Sequence, residues 1–140
     1  MKSKQVLSIE QMKHLQRLGL DTSDASMYWA RVSHGSRIDD KSKGVWFLSL
    51  QKEFQTCGFM SYEILPTYTL QDILDKLPKR IETEDYEFEL YIYYHENGVS
   101  VFYDDGDITQ LAFFSKPTLL ESAYEMLCWC IENGYIKTKE

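Results

Sequence analysis

Three groups of residues in this chain could do chemistry by their type and spacing. The first is Cys128 and Cys130, one residue apart in "AYEMLCWCIENGYI", 123–136. Two thiols that close could chelate zinc or cycle through a disulfide. The segment nevertheless carries helix signals, with Thr118 and Glu121 in capping-box spacing ahead of it and Gly134 as its stop. On a helix, residues two apart point about 200° away from each other, whereas ligands to one ion need a shared face. The two sulfurs are therefore expected to diverge and to pack as small apolar side chains. Cys57 is the remaining thiol, and His14, His34 and His95 fall in unrelated segments, so no metal site and no cofactor is expected.

The second group is "DDGD", 104–107, with three carboxylates. A calcium loop of the EF-hand type spreads its ligands over twelve positions and closes on a glutamate, which is missing here. Asp105-Gly106 reads instead as a hairpin turn. The third is the acidic run "ETEDYEFE", 82–89, where Glu87 and Glu89 alternate with Tyr86, Phe88 and Leu90. That pattern suits a half-exposed strand whose charge discourages edge pairing, and it also offers an acidic lip to a basic protein. No serine elbow, glycine-rich phosphate loop or paired-histidine zinc motif occurs in the sequence, so no catalytic residue is singled out.

The elements that would position these residues are legible from their caps. In "LSIEQM", Ser8 and Gln11 form a capping box, Leu7 and Met12 a staple, and the helix should run to about Leu18 before Gly19. In "YTLQDILDKLP", Thr69 and Asp72 repeat the device and Pro78 ends the helix. The third helix begins after Thr118, with Leu120, Ala123, Tyr124, Leu127 and Ile131 on its buried face. Strand-like runs cover 26–33, 44–50 and 59–65, the first two joined by the polar stretch 34–43 as a long hairpin loop. After the second helix, "YEFELYIYYHENGVSVFYDDGDITQLAFF" reads as a three-stranded meander turning at Asn97-Gly98 and Asp105-Gly106. The expected fold is α+β: three helices flanking a mostly antiparallel sheet of five to six strands, in the order α-β-β-β-α-β-β-β-α, as one domain of 140 residues.

Hairpin register assigns the faces of the meander. A two-residue turn at Asn97-Gly98 sets Tyr94 opposite Val101 and Ile92 opposite Tyr103, so Phe88, Leu90, Ile92, Tyr94, Val101 and Tyr103 share the core face. The opposite face then carries Tyr91, Tyr93, Phe102 and Phe113, with Leu111 beside them. A sheet wetted on one side alternates cleanly between apolar and polar. Apolar residues on both faces mean either helices on both sides, an α/β/α sandwich, or a second molecule. Tyr91, Tyr93, Phe102 and Phe113 are the candidate interaction surface.

Composition narrows the partner. Ten Tyr, seven Phe and three Trp make an aromatic-rich globular chain, and a net charge of −7 opposes binding to phosphate backbones. A protein partner, a second copy of the chain included, is expected, and nucleic acid is not. No run approaches the ~20 apolar residues of a membrane span, and "MKSKQVLSIE" has no signal-like apolar core, so a cytoplasmic protein without membrane contact is expected.

Three blocks, "LSIEQMKHLQRLGLDTSDASM", "TLQDILDKLPKRI" and "LLESAYEMLCWCIENGYI", resemble a group of short uncharacterised proteins of prophages and conjugative elements of anaerobic gut bacteria. The order of elements is also similar, more distantly, to small phage proteins with α/β/α sandwiches. The resemblance implies a setting rather than an activity: an accessory protein of a mobile element, non-enzymatic, acting by protein–protein contact. The alternative reading is a small enzyme or ligand-binding protein with a cleft between helices and sheet.

Overall fold

The computed structural model describes residues 6–34, 44–50 and 61–139. Helix α1 spans Ile9–Arg17, α2 Leu70–Lys76 and α3 Leu119–Glu132. The strands are β1 Met27–His34, β2 Phe47–Ser49, β3 Ser61–Thr67, β4 Arg80–Glu82, β5 Glu87–His95, β6 Gly98–Asp104 and β7 Gln110–Lys116. The fold is α+β, and the order of helices and strands follows the sequence expectation with β4 as an addition. The strands divide between two antiparallel sheets, β2-β1-β3 and β4-β5-β6-β7. The expected loop between the first two strands and Cys57 lie largely or wholly outside the described residues. His34, placed in that loop by sequence, is the last residue of β1.

Each helix starts where its cap chemistry says. Ser8 accepts the Gln11 amide at 3.1 Å while the Gln11 side chain accepts the Ser8 amide at 2.9 Å. Thr69 and Asp72 make the same reciprocal pair. At α3 only half of the expected box forms: Thr118 accepts the Glu121 amide at 3.2 Å. Gly19 and Gly134 follow the ends of α1 and α3 with φ of +98° and +81°, the left-handed geometry that favours glycine at a helix stop.

One cluster of buried side chains joins the parts. Met12 and Leu15 of α1, Ile73 and Leu77 around α2, Phe88, Val101 and Tyr103 of the larger sheet, and the inner face of α3 belong to it. The smaller sheet is tied in by polar contacts: Leu7 donates its amide to Tyr68, while Thr67 Oγ1 and Trp29 Nε1 both donate to the Leu7 carbonyl. Helix α3 lies across β6 and β7 and leaves the far end of β5 uncovered. Phe88, Val101 and Tyr103 are therefore buried as expected, but Ile92 and Tyr94, assigned to the same core face, are exposed. Their parity is right and their burial is not, because no helix among the described residues extends over the tip of the β5–β6 hairpin.

Candidate interaction surface

The candidate surface is built by the two hairpins β5–β6 and β6–β7. The first turns at Glu96 and Asn97, with His95 paired to Gly98, so that Tyr94 faces Val99 and Ile92 faces Val101. This corrects the expected register by two residues. The glycine is needed for close approach: a Cβ on Gly98 would sit 2.4 Å from the Lys116 carbonyl oxygen of β7. A shift of two preserves which face each side chain occupies. Tyr91, Tyr93 and Phe102 thus remain on the side away from α3.

The second turn also differs from a tight Asp105-Gly106 hairpin. Strand β6 ends at Asp104 and β7 begins at Gln110. The Asp105 carboxylate accepts the amides of Asp107 and Thr109 at 2.9 and 3.1 Å, and Asp104 accepts that of Gly106 at 2.6 Å. The bonds from the Asp107 and Thr109 amides hold the Asp105 carboxyl below the usual range, against an opposing effect of desolvation. The register slips between Tyr103 and Asp104, on the loop side of the Phe102–Phe113 pair, so Phe113 keeps its place beside Phe102.

The structure brings all four sequence-assigned residues to one face. Tyr91, Phe102 and Phe113 are direct cross-strand neighbours on β5, β6 and β7. Their rings form a row, Tyr91 to Phe102 at 5.5 Å and Phe102 to Phe113 at 5.6 Å between centroids. Tyr93 lies one step toward the hairpin tip and stacks on the His95 ring at 6.1 Å. Tyr93 is 62% exposed and Phe113 49%. Among the described residues no helix covers this face.

A polar row that sequence reasoning missed completes it. His95 Nε2 lies 3.1 Å from Ser100 Oγ and 3.0 Å from Ser115 Oγ, bridging three strands beside the aromatic row. The parity of Tyr91, Tyr93 and His95 was available in the sequence. The arrival of Ser115 was not, because it depends on the slipped register of β7. Behind this end, the Lys116 amide donates to Ser122 Oγ at 2.9 Å, and that hydroxyl donates to the Val99 carbonyl at 2.6 Å. The α3 hydroxyl so relays the ladder between β6 and β7.

The other chemistry-bearing groups are used internally. Cys128 and Cys130 are both buried on α3, and Cys130 Sγ points at the Tyr103 hydroxyl, 3.9 Å away. Burial pushes both thiols up to about 11. Burial likewise raises the Tyr68 and Tyr103 hydroxyls far above the ordinary phenol range, while each donates a hydrogen bond, to Asp24 and to the Pro78 carbonyl. Among the described residues no group of three or more His, Cys, Asp or Glu side chains is placed to hold a metal. Glu87 and Glu89 of the acidic run pair with Arg80 of β4, at 2.7 and 3.6 Å, so the expected acidic lip carries its own cation.

Two open clefts flank α2. One, of about 380 Å³, is lined by Asp24, Asp72, Asp75, Lys76 and Ile136. Its charges are already engaged, since Lys76 pairs with Asp24 and Asp72 accepts from Ser26 and Thr69. The other, of about 470 Å³, runs between α2 and β5 past Leu74, Lys79, Leu90 and Ile92. No helix among the described residues is long and apolar enough to cross a membrane. Comparison of the chain with protein-family models, curated proteins and solved structures finds no match.

Proposed function

We propose that this protein acts by protein–protein contact through the open aromatic face of its four-stranded sheet, as a non-enzymatic accessory factor of a mobile element. The observation that carries the reading is the row Tyr91, Phe102 and Phe113 with Tyr93 beside it, ring against ring across three strands, with Tyr91, Tyr93 and Phe113 exposed and Phe102 half-buried between them. Tyrosine and phenylalanine supply large contact area with few rotatable bonds, which is why they anchor protein interfaces. The adjoining His95 and Ser115, exposed and joined at 3.0 Å, give the patch a polar margin, the usual anatomy of such a surface. The mobile-element setting is supported by the resemblance of the three helix blocks. A cytoplasmic location suits the free thiols of Cys128 and Cys130. The cleft reading has less support, because the carboxylates lining the cleft at Asp24 and Asp72 are hydrogen-bonded within the protein.

The test is capture from lysate of a native host by the tagged chain and by its Phe102→Ala, Phe113→Ala variant, read by mass spectrometry. A protein recovered near stoichiometry by the wild type and lost with the variant supports the reading. Equal recovery by both, or return of the bait alone, overturns it.

A further inference from the structure

The larger sheet has an edge that is only partly closed. Strand β4 pairs with Glu87, Phe88 and Glu89 of β5 and stops. Its last bond to β5 is from the Leu90 amide to the Lys79 carbonyl, 3.0 Å. Beyond it, residues 91–95, Tyr-Ile-Tyr-Tyr-His, pair with β6 on one side and with nothing among the described residues on the other. Alternate residues of a strand turn their amide and carbonyl to the same side. Leu90 turns outward to β4, so Ile92 and Tyr94 also turn outward, and their main-chain groups line the open edge. Their side chains are 39% and 67% exposed. Sheet proteins guard such edges with lysine, proline or a bulge, and this stretch has none of them.

We infer that a second copy of this chain pairs with this edge, β5 against β5 and antiparallel, on a two-fold axis at Tyr93. Three features select a second copy. First, the free stretch is centred on Tyr93 and is self-complementary. Pairing Ile92 with Tyr94 of the second copy matches outward groups with outward groups and makes four main-chain hydrogen bonds. Moving the axis to Ile92 would set Tyr94 of the second copy against Leu90, whose amide is already bound to Lys79. Moving it to Tyr94 would leave Ile92 opposite the turn. Second, Lys79 fills the place opposite Leu90, and the Tyr93-centred register runs Glu96 of each copy, already in its turn, up to that Lys79 of the other, whose ammonium also holds the Leu74 carbonyl; acid so meets base twice in a protein whose net charge is −7. Third, Tyr94 of one copy arrives beside Ile92 of the other, at the mouth of the cleft between α2 and β5 that Leu74, Lys79, Leu90 and Ile92 line. The result is one eight-stranded sheet with closed two-fold symmetry. A two-fold axis normal to the sheet puts both aromatic rows on the same side, doubling the surface described above. The inference stands on the edge of the sheet and goes beyond the reading of its face.

Sedimentation equilibrium of the full chain from about 1 to about 100 µM, a range that brackets a micromolar dimer, tests it. The expected mass is twice the 16.5 kDa of one chain. Tyr94→Lys, at an exposed position, and Ile92→Pro, which removes an outward amide that β6 does not use, should each raise the dissociation constant at least about tenfold with the circular dichroism unchanged. Lys79→Glu and Glu96→Lys should each weaken the dimer, and the two together should restore it to within about threefold. Phe102→Ala with Phe113→Ala, away from the edge, should leave the dimer intact, so the edge and the face fail separately. A monomer throughout the range, a dimer indifferent to both edge variants, or a double charge swap no better than the single ones overturns the inference.

Discussion

Removing the Ser122 hydroxyl should loosen the end of the sheet that carries His95 and Ser115, and the structure sets the size of the effect. Ser122 is fully buried, accepts the Lys116 amide and donates to the Val99 carbonyl. Ser122→Ala deletes both bonds at about 1 kcal/mol each and leaves two main-chain groups short of partners, while alanine returns about 0.5 kcal/mol of helix propensity. The net loss is about 2 kcal/mol. A chain of 140 residues unfolds with an entropy of about 0.3 kcal/mol/K, so the melting temperature should fall by about 7 °C. Scanning calorimetry measures this directly, and amide exchange should quicken first at Lys116, whose amide loses its acceptor. Ser115→Ala, on the exposed face with only the His95 contact, serves as control and should shift the melting point by less than about 2 °C. A Ser122→Ala shift no larger than that of the control would refute the relay, and with it the account of how α3 fixes the β6–β7 end.

Two further outcomes follow from the titrating groups. With both thiols raised to about 11, about one in a thousand is thiolate at pH 8, so in a Cys57→Ser chain Cys128 and Cys130 should react with a disulfide reagent more than about 100-fold slower when native than in denaturant; a difference under about tenfold would contradict their burial. At Asp72 burial pushes the carboxyl up, but the hydrogen bonds from Ser26 and Thr69 outweigh it and the pKa falls below the model-peptide value of 3.8. The unfolded chain therefore takes up the proton first, so the stability this group contributes is present above pH 3.8 and is lost as the pH falls through the lower folded value. Urea midpoints of Asp72→Asn should decline less steeply than those of the wild type between about pH 5 and pH 3, and identical slopes would count against the assignment.

What was legible in the sequence was local. Ser8, Thr69 and Thr118 fixed where the helices begin, because a cap needs only an oxygen and an amide three residues away. Gly19, Pro78 and Gly134 marked where they stop. The alternation along β5 and β6 assigned Tyr91, Tyr93 and Phe102 to one face, and that survived a turn two residues from where it was expected, since side-chain parity is unchanged by an even shift. The divergence of Cys128 and Cys130 followed from helical geometry alone.

Tertiary structure decided everything that depends on what lies opposite. The split into two sheets, the short strand at Arg80–Glu82 and its pairing with Glu87 and Glu89 come from long-range partners that a three-residue segment cannot announce. The face of Phe88, Val101 and Tyr103 is core because α3 covers it, while Ile92 and Tyr94 on that same face are open because α3 lies over β6 and β7. The bridge from His95 to Ser100 and Ser115 exists only once three strands are in register. Periodicity says which way a side chain points; only the packing of distant elements says whether anything is there to meet it.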